Sequence, residues 1–302
     1  MSAVAVRIWL LLGALSAVDL CWCAAQGLTV SNWRPFLLVA AALSALSIVA
    51  RRAGRVPRLA AVAQWSLLWL IFSVAGAILT YAAATRDGAL YDHQFAALDH
   101  AIGFDWNAWL GAVNAHPIVK RVFWGCYSSL FSQIMLSVAW FAWCGWPQRN
   151  AELLANATLA LLLTTAIFGL FPAFGSGVGV PGFELAYVDD LTGLRNGTLP
   201  SLDVMLLKGV VTFPSFHAVL AVLFVWSHRG SVSVVPAAVL NGIMLLAIPS
   251  EGGHYLVDVF GGLAVAAITI VALRAVPLSP PVLAPARLPG GTARDSPSSA
   301  GD

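Results

Sequence analysis

Two short motifs in this chain combine residue types that can move protons and attack an electrophile. They are Phe213-Pro214-Ser215-Phe216-His217 and Gly252-Gly253-His254-Tyr255-Leu256-Val257-Asp258. Asp258 follows His254 by four residues, so on a helix the carboxylate shares a face with the imidazole and can orient it. Each motif begins a long apolar run, where a lone histidine is costly to keep. Together they predict acid, base and nucleophile chemistry at one edge of a membrane.

The composition indicates a membrane protein with many spans. The 302 residues are 59% apolar and 10% charged, with a mean hydropathy of +0.83, which no soluble globular surface has. A helix needs about 20 apolar residues to cross the hydrocarbon. We therefore predict an all-α bundle of about eight transmembrane helices, over Ile8–Ala25, Phe36–Ala50, Leu59–Ala84, Val119–Trp146, Leu153–Phe171, Phe216–Trp226, Val232–Ile248 and Tyr255–Val276.

The basic residues predict the orientation, since short cytoplasmic loops carry an excess of Lys and Arg. With the N-terminus inside, both histidine motifs lie on the outer face. The cytoplasmic side then holds ten of the sixteen basic residues, namely Arg7, Arg51, Arg52, Arg55, Arg58, Arg149, Arg229, Arg274, Arg287 and Arg294. We expect an integral protein of a bacterial inner membrane with its site facing the periplasm or outside. Nucleic acid is excluded as a partner, because the sequence has no basic stripe with interleaved aromatic residues.

Two external segments, about 85–118 and 172–212, are too long to be plain connectors. In the first, an apolar stripe at helical spacing predicts a helix in the membrane interface, formed by Trp106, Trp109, Leu110 and Val113. Such segments can form a lid or a headgroup vestibule.

Three polar residues lie inside the apolar runs. We expect Asp19 to pair with a polar group of the bundle or to lie at a helix end, rather than to join the histidine site. Tyr127 and Gln133 are in the fourth run. They could face a substrate path, but hydrogen bonds between helices are the simpler expectation.

The two motifs, in this order and separation, resemble the type 2 phosphatidic acid phosphatase superfamily. They are most similar to its branch related to inositol phosphorylceramide synthase, in which the second motif reads Pro-Ser-x-His, here Pro214 to His217. The third motif, His-x3-Asp, is His254 to Asp258, and the stretch Leu98 to Trp106 also resembles a segment of that branch. The resemblance covers about 84–276.

The resemblance implies a bundle with a six-helix core in which His254 attacks phosphorus and becomes a phosphohistidine. Asp258 would hold the reactive tautomer, and His217 would be the general acid on the leaving oxygen. Imidazole chemistry supports these roles, since neutral imidazole is a good nucleophile near pH 7 and a second histidine can protonate an alkoxide. No metal or other cofactor is expected. The implied domains are two N-terminal helices at 1–58, the catalytic membrane domain at 59–276 and a disordered cytoplasmic tail at 277–302.

The sequence departs from the superfamily pattern in its basic residues. The Lys-x6-Arg-Pro first motif has no counterpart, and Ala247 and Ile248 stand where the family has a Ser-Arg pair. A transferred phosphoryl group still needs fixed positive charge. We expect it from Arg195 first, because a guanidinium binds phosphate through two hydrogen bonds, and then from Lys208. Lys120 and Arg121 come next, and Ser215 and the backbone of Gly252-Gly253 are further candidate donors.

These observations predict a lipid phosphatase or phosphotransferase with a phosphohistidine intermediate. Its partners would be the bilayer and a lipid phosphate or phospholipid substrate. Water as acceptor would make it a phosphatase, and a lipid hydroxyl would make it a transferase. The alternative, a non-catalytic transporter or structural bundle, accounts for the helices but gives His217, His254 and Asp258 no task.

Overall fold

Twelve helices and two short strands form residues 3–274, the part of the chain that the computed structural model describes. The all-α class is confirmed, whereas the predicted tail at 277–302 lies outside the described residues. The elements are α1 Ala3–Ala25, β1 Thr29–Ser31, α2 Trp33–Ala53, α3 Pro57–Ala84, α4 Asp92–Ala101, α5 Trp106–Ala115, α6 Pro117–Ser128, α7 Leu130–Trp143, α8 Pro147–Leu170, α9 Val188–Arg195, β2 Ser201–Asp203, α10 Phe216–Ser227, α11 Val234–Gly252 and α12 Leu256–Arg274.

Six of the described helices are long and apolar enough to cross a membrane. These are α1, α2, α3, α8, α11 and α12, and α6 with α7 adds a seventh if that bent pair is one span. The sixth predicted run forms only α10, an apolar helix of 12 residues. The long apolar helices indicate an integral membrane protein.

The fourth predicted run is a broken helix, which the sequence analysis did not predict. Its halves, α6 and α7, meet at Ser129 with a bend of 52°. The Ser129 hydroxyl donates a hydrogen bond of 2.6 Å to the carbonyl oxygen of Cys126, and hydroxyl groups that bond to the helix backbone often accompany bends. The break places the end of α6, with Tyr127, beside α11 and α10.

Local sequence explains where several helices begin. Proline occupies the first turn of α3, α6 and α8, where its missing N–H costs nothing. Ser215 caps α10 by accepting the N–H of Ala218, and Asp105 caps α5 by accepting the N–H of Ala108. The predicted interfacial helix is thus present as α5, with Trp106 and Val113 buried.

The core of the bundle forms around α3, which contacts α1, α2, α7 and α8. Trp69, Phe141, Leu153 and Phe224 are among its fully buried side chains. In a membrane, such packing holds helices together through van der Waals contact, and small residues allow close approach. Near the histidines, α10 and α12 approach each other closely at Gly262.

The two strands join the N-terminal helices to the rest of the chain. β1 follows α1, and it pairs in parallel with β2, with Thr29 opposite Ser201 and Ser31 opposite Asp203. β2 lies in the segment between α8 and α10, which leads directly into the His217 motif. The turn between α1 and α2 is therefore on the same side of the bundle as His217. The proposed domain boundary at residue 58 stays a prediction.

We expect Gly262→Ala to destabilise the protein, because the added methyl group would lie 2.4 Å from the carbonyl oxygen of Ser215 and 2.7 Å from Cβ of Ala218. Overpacking of this kind costs about 1–3 kcal/mol. The thermal unfolding midpoint in detergent micelles measures the effect. Gly242→Ala is the matched control, since a Cβ there meets nothing within 4 Å, and alanine favours a helix over glycine. Equal midpoints for the two variants would contradict the close contact of α10 with α12.

Candidate active site

His254 lies in the short connection between α11 and α12. α11 ends at Gly252, and Gly253 adopts a left-handed conformation with φ of 64°, which glycine tolerates best. Nδ1 of His254 is 3.0 Å from Oδ2 of Asp258, and both side chains are buried. We assign the ring proton to Nδ1, because the Asp258 carboxylate can accept it, and this tautomer leaves the lone pair on Nε2. This contact is the one that the four-residue spacing predicts.

Burial keeps the His254 ring neutral. Loss of hydration lowers the pKa of His254 to about 4, and the backbone of Thr212 partly opposes that shift. The imidazole is therefore uncharged near pH 7, the form in which Nε2 can act as a nucleophile. Asp258 also accepts the backbone N–H of Tyr255 at 3.0 Å through the same Oδ2. Its orientation is fixed from two sides.

His217 is the second residue of α10, and Tyr127 joins it to His254. The rings of His217 and Tyr127 are stacked, with centroids 4.2 Å apart and an angle of 11° between planes. Gly252 lies between Tyr127 and His254, since a Cβ there would be 2.7 Å from the Tyr127 hydroxyl and 2.6 Å from Cδ2 of His254. The structure thus brings both predicted histidines and Asp258 into one site. Tyr127 belongs to it as well, although a bond between helices was the simpler expectation.

Gln133 forms a hydrogen bond between helices, as the simpler expectation predicted. Its Oε1 accepts from Nδ2 of Asn241 at 2.8 Å, which joins α7 to α11 away from the histidines.

Ser215 fixes the start of α10 against α12. Its backbone N–H donates to the carbonyl oxygen of Asp258 at 3.0 Å, and its hydroxyl caps α10. This bond and the small residue Gly262 place His217 on the side of α12 that carries Asp258.

Asp99 of α4 caps α12, a role that the sequence analysis missed. Its two carboxylate oxygens accept the N–H groups of Leu256 and Val257 at 2.7 and 2.9 Å. The side chain is 3% exposed. Burial raises the pKa of Asp99, and these two backbone hydrogen bonds oppose the shift. Asp99 therefore holds the first turn of α12, which carries Asp258, the partner of His254.

Asp92, on the same helix, supports a loop beside His254. It accepts the N–H groups of Phe174 and Gly175 at 3.0 and 2.9 Å, and the hydroxyl of Tyr255 donates to it at 3.2 Å. Burial raises the pKa of Tyr255, so its hydroxyl stays protonated as a donor. Asp92 and Asp99 are seven residues apart and share one helix face. That spacing is the signal that could have identified the pair.

The loop at 173–176 contacts the backbone next to His254. The N–H of Ser176 donates to the carbonyl oxygen of Gly253 at 2.8 Å. Gly175 has φ of 106°, and a Cβ there would be 2.5 Å from the same oxygen, so only glycine fits. The Ser176 hydroxyl is buried and has no hydrogen-bond partner among residues 3–274. It is an available donor near the candidate nucleophile.

The structure gives the predicted phosphate-binding cations other partners. Arg195, at the end of α9, donates to the carbonyl oxygens of Arg86 and Gly88. Lys208 is 3.4 Å from Asp190. Within the described residues, neither has a hydrogen bond or ion pair with the two histidines or with Asp258.

Of the remaining predicted donors, Lys120 and the Ser215 hydroxyl are also engaged, whereas Arg121 has no hydrogen bond or ion pair within the described residues. Lys120 donates to Oδ1 of Asn114 at 2.7 Å. At the start of α12, Asp99 and Asp258 accept the N–H groups of residues 255–257. Those N–H groups are therefore taken in this state and are not turned toward a ligand.

Comparison with known protein families finds one match. A model of the PAP2 superfamily matches residues 93–272, which is 180 of the 302 residues and includes both histidine motifs. The curated proteins and the solved structures gave no match. The match begins in α4 and ends in α12, so α1 to α3 lie outside it.

We expect Asp99→Asn to loosen the start of α12. The asparagine amide keeps one oxygen that can accept, but its NH2 group faces the second backbone N–H. Loss of that part of the cap should lower the free energy of unfolding by about 1–2 kcal/mol. Hydrogen exchange followed by mass spectrometry should show faster exchange at residues 254–258.

The matched control is Asp105→Asn, which alters the cap of α5 alone. Exchange at residues 254–258 should stay as in the parent protein. If both variants leave exchange there unchanged, Asp99 does not hold the start of α12.

Proposed function

Because this chain belongs to the PAP2 superfamily, whose members are enzymes of the phosphatase or phosphotransferase type, we propose that it acts on a phospholipid or lipid phosphate. One observation carries the proposal. His254 is buried and neutral, with Nδ1 bonded to Asp258, and a second histidine lies in the same site.

The chemistry follows from these positions. Nε2 of His254 attacks phosphorus, a P–N bond forms, and the bond from phosphorus to the leaving oxygen breaks. The ring gains positive charge in this step, which the Asp258 carboxylate stabilises. The negative charge of the bound phosphate favours the protonated form of His217, and this imidazolium gives its proton to the leaving alkoxide. In the second step His217 takes a proton from water or an alcohol, whose oxygen attacks phosphorus and releases His254.

The lipid substrate is supported by the position of the site. His217 and His254 lie at the ends of apolar helices, so a headgroup could reach them while its chains stay in the hydrocarbon. The motif Pro214 to His217 further supports the branch related to inositol phosphorylceramide synthase, in which a lipid hydroxyl accepts the phosphoryl-alcohol group.

Arg195, Lys208 and Ser215 remain our proposed phosphate-binding groups. To bind phosphate, Arg195 must leave its carbonyl partners and Lys208 must leave Asp190. Both exchanges cost little free energy, because the carbonyl oxygens are uncharged and the ion pair is partly exposed to solvent. The hydroxyl of Ser176 is an additional donor that needs no such exchange.

Purified protein incubated with labelled phosphatidic acid or headgroup-labelled phosphatidylinositol, with and without ceramide or diacylglycerol, tests the function. Release of water-soluble phosphate indicates a phosphatase, and label on the acceptor indicates a transferase. No reaction with any donor would favour the alternative, a non-catalytic transporter or structural bundle.

In the same assay, two variants separate the histidines. His217→Ala should lower turnover of the lipid by about 10²–10⁴-fold and recover partly on an aryl phosphate, because a nitrophenolate leaves without a proton. His254→Ala should be inactive on both substrates and should trap no acid-labile phosphate. Rescue of His254→Ala by the aryl phosphate would instead exchange the two roles.

Normal turnover in Arg195→Ala would remove Arg195 from the site.

We also propose that the site faces the periplasm or outside, since the basic loops lie at the opposite ends of the helices. A cysteine introduced at Thr198, beside β2, should react with a membrane-impermeant maleimide in intact cells. One introduced at Gly54, after α2, should react only after the cells are opened. The parent protein supplies the background from its four native cysteines. The reverse labelling pattern would contradict the orientation.

A further inference from the structure

A cavity between α1, α2 and α3 contains a charged side chain that the proposed chemistry does not use. Its volume is about 240 Å³. The lining includes Asp19 and Ser16 from α1, Trp33 and Phe36 from α2, and Ile78 from α3. No residue of the histidine site lines this cavity, and the three helices precede the region that matches the family model.

Asp19 has no partner for either carboxylate oxygen. The side chain is 3% exposed, and neither Oδ1 nor Oδ2 has a hydrogen bond to any group in residues 3–274. The sequence analysis expected a polar partner in the bundle or a place at a helix end, and the structure provides neither. Asp19 is six residues before the end of α1, about 9 Å along the helix. A carboxylate inside a membrane helix is costly unless something pairs with it.

The lining identifies the chemistry of the missing partner. No Lys, Arg or His lines the cavity, so its only formal charge is negative. A bound metal ion would need several oxygen, nitrogen or sulfur ligands, and the described residues contain no group of three His, Cys, Asp or Glu that could hold one. A cation with its own N–H donors and an apolar body fits better. A primary ammonium group on a hydrocarbon chain has both.

Two aromatic rings favour the same ligand. Trp33 and Phe36 are in edge contact, with centroids 5.8 Å apart, and both line the cavity. The indole N–H of Trp33 is bonded to the carbonyl oxygen of Val30 at 3.0 Å, which fixes the ring. Aromatic faces attract cations, and they also contact methylene groups without cost.

The cavity lies toward the side of the bundle that carries His217. Val30 of β1 and Trp33 at the start of α2 line it, and β1 pairs with β2 on that side. A tryptophan at this level is typical of the membrane interface. An amphiphile can therefore present its ammonium group to Asp19 while its chain stays in the apolar layer.

We propose that Asp19 binds the ammonium group of an amine-bearing amphiphile in the cavity between α1, α2 and α3. The carboxylate accepts its N–H donors, and Trp33 and Phe36 contact the adjoining carbons. This site is independent of the phosphohistidine chemistry.

Binding of labelled dodecylamine to the full-length protein in phosphatidylcholine nanodiscs tests the proposal, because phosphatidylcholine has no primary amine. The parent protein should bind it saturably above empty nanodiscs, and unlabelled dodecylamine should displace it whereas dodecanol should not. Asp19→Asn should bind at least about 10-fold more weakly, as expected for loss of a charged hydrogen-bond acceptor. Asp87→Asn, which changes an exposed acid in the loop after α3, should bind like the parent.

Two further arms complete the test. Adding phosphatidylethanolamine to the nanodiscs should displace the label if a lipid headgroup is the natural source of the amine, and should leave it bound if the source is a free amine. Phe36→Leu keeps the carboxylate and removes one aromatic face, so it should weaken binding about threefold to tenfold. It serves as the second variant if Asp19→Asn shows no cooperative unfolding.

The proposal is overturned by any of three results. These are the absence of saturable binding to the parent protein, equal binding by Asp19→Asn with a normal unfolding transition, and displacement by dodecanol as effective as by dodecylamine. The last would show that the cavity accepts any alkyl chain and that the carboxylate has no part in binding.

Discussion

The first turn of α12 is the point on which the candidate active site depends. Its free N–H groups are accepted by the carboxylate of Asp99, and the carbonyl oxygen of Asp258 accepts the N–H of Ser215. The first turn of α12 is therefore hydrogen-bonded both to α4 and to Ser215, which precedes α10. The side chain of Asp258, on the same turn, orients His254. A shift of this turn would displace both histidines at once, because each is positioned against it.

The membrane limits how such a site can be built. Buried backbone groups beside an apolar layer must find partners within the protein, and the ends of helices leave several without any. In this protein carboxylates supply those partners, namely Asp99 at α12 and Asp92 at the loop beside it. The break at Ser129 serves a related purpose, since it lets α6 end beside α10 and brings Tyr127 over His217. Irregular backbone is concentrated where the chemistry is expected.

The sequence was most informative where the relevant contact is local or the pattern is long. The spacing of His254 and Asp258 predicted their hydrogen bond, and the apolar runs predicted the long helices and the helix at Trp106. It was least informative where partners are far apart in the chain. Asp99 and Leu256 are separated by 157 residues, and no local pattern connects them. The same is true of Arg195, whose partners at 86 and 88 lie in a different loop. The sequence shows the charge of a basic residue but not which group lies beside it.

The segment over the site has almost no regular structure of its own, and this determines how it is held. Between α8 and α10 only α9 and the short β2 supply regular hydrogen bonds. Leu191, Leu194, Leu202 and Val210 of this segment form a buried apolar cluster with Tyr81 and Phe168. Single side chains add hydrogen bonds, with the Tyr187 hydroxyl donating to the carbonyl oxygen of Phe174 and the Thr212 hydroxyl donating to that of Ala173. Residues 172–187 have no helix or strand and are held largely by separate hydrogen bonds, so this part can open without unfolding the helices. The part at 172–187 beside His254 is thus the one that can move most easily, which suits the proposed entry of a headgroup and release of a product.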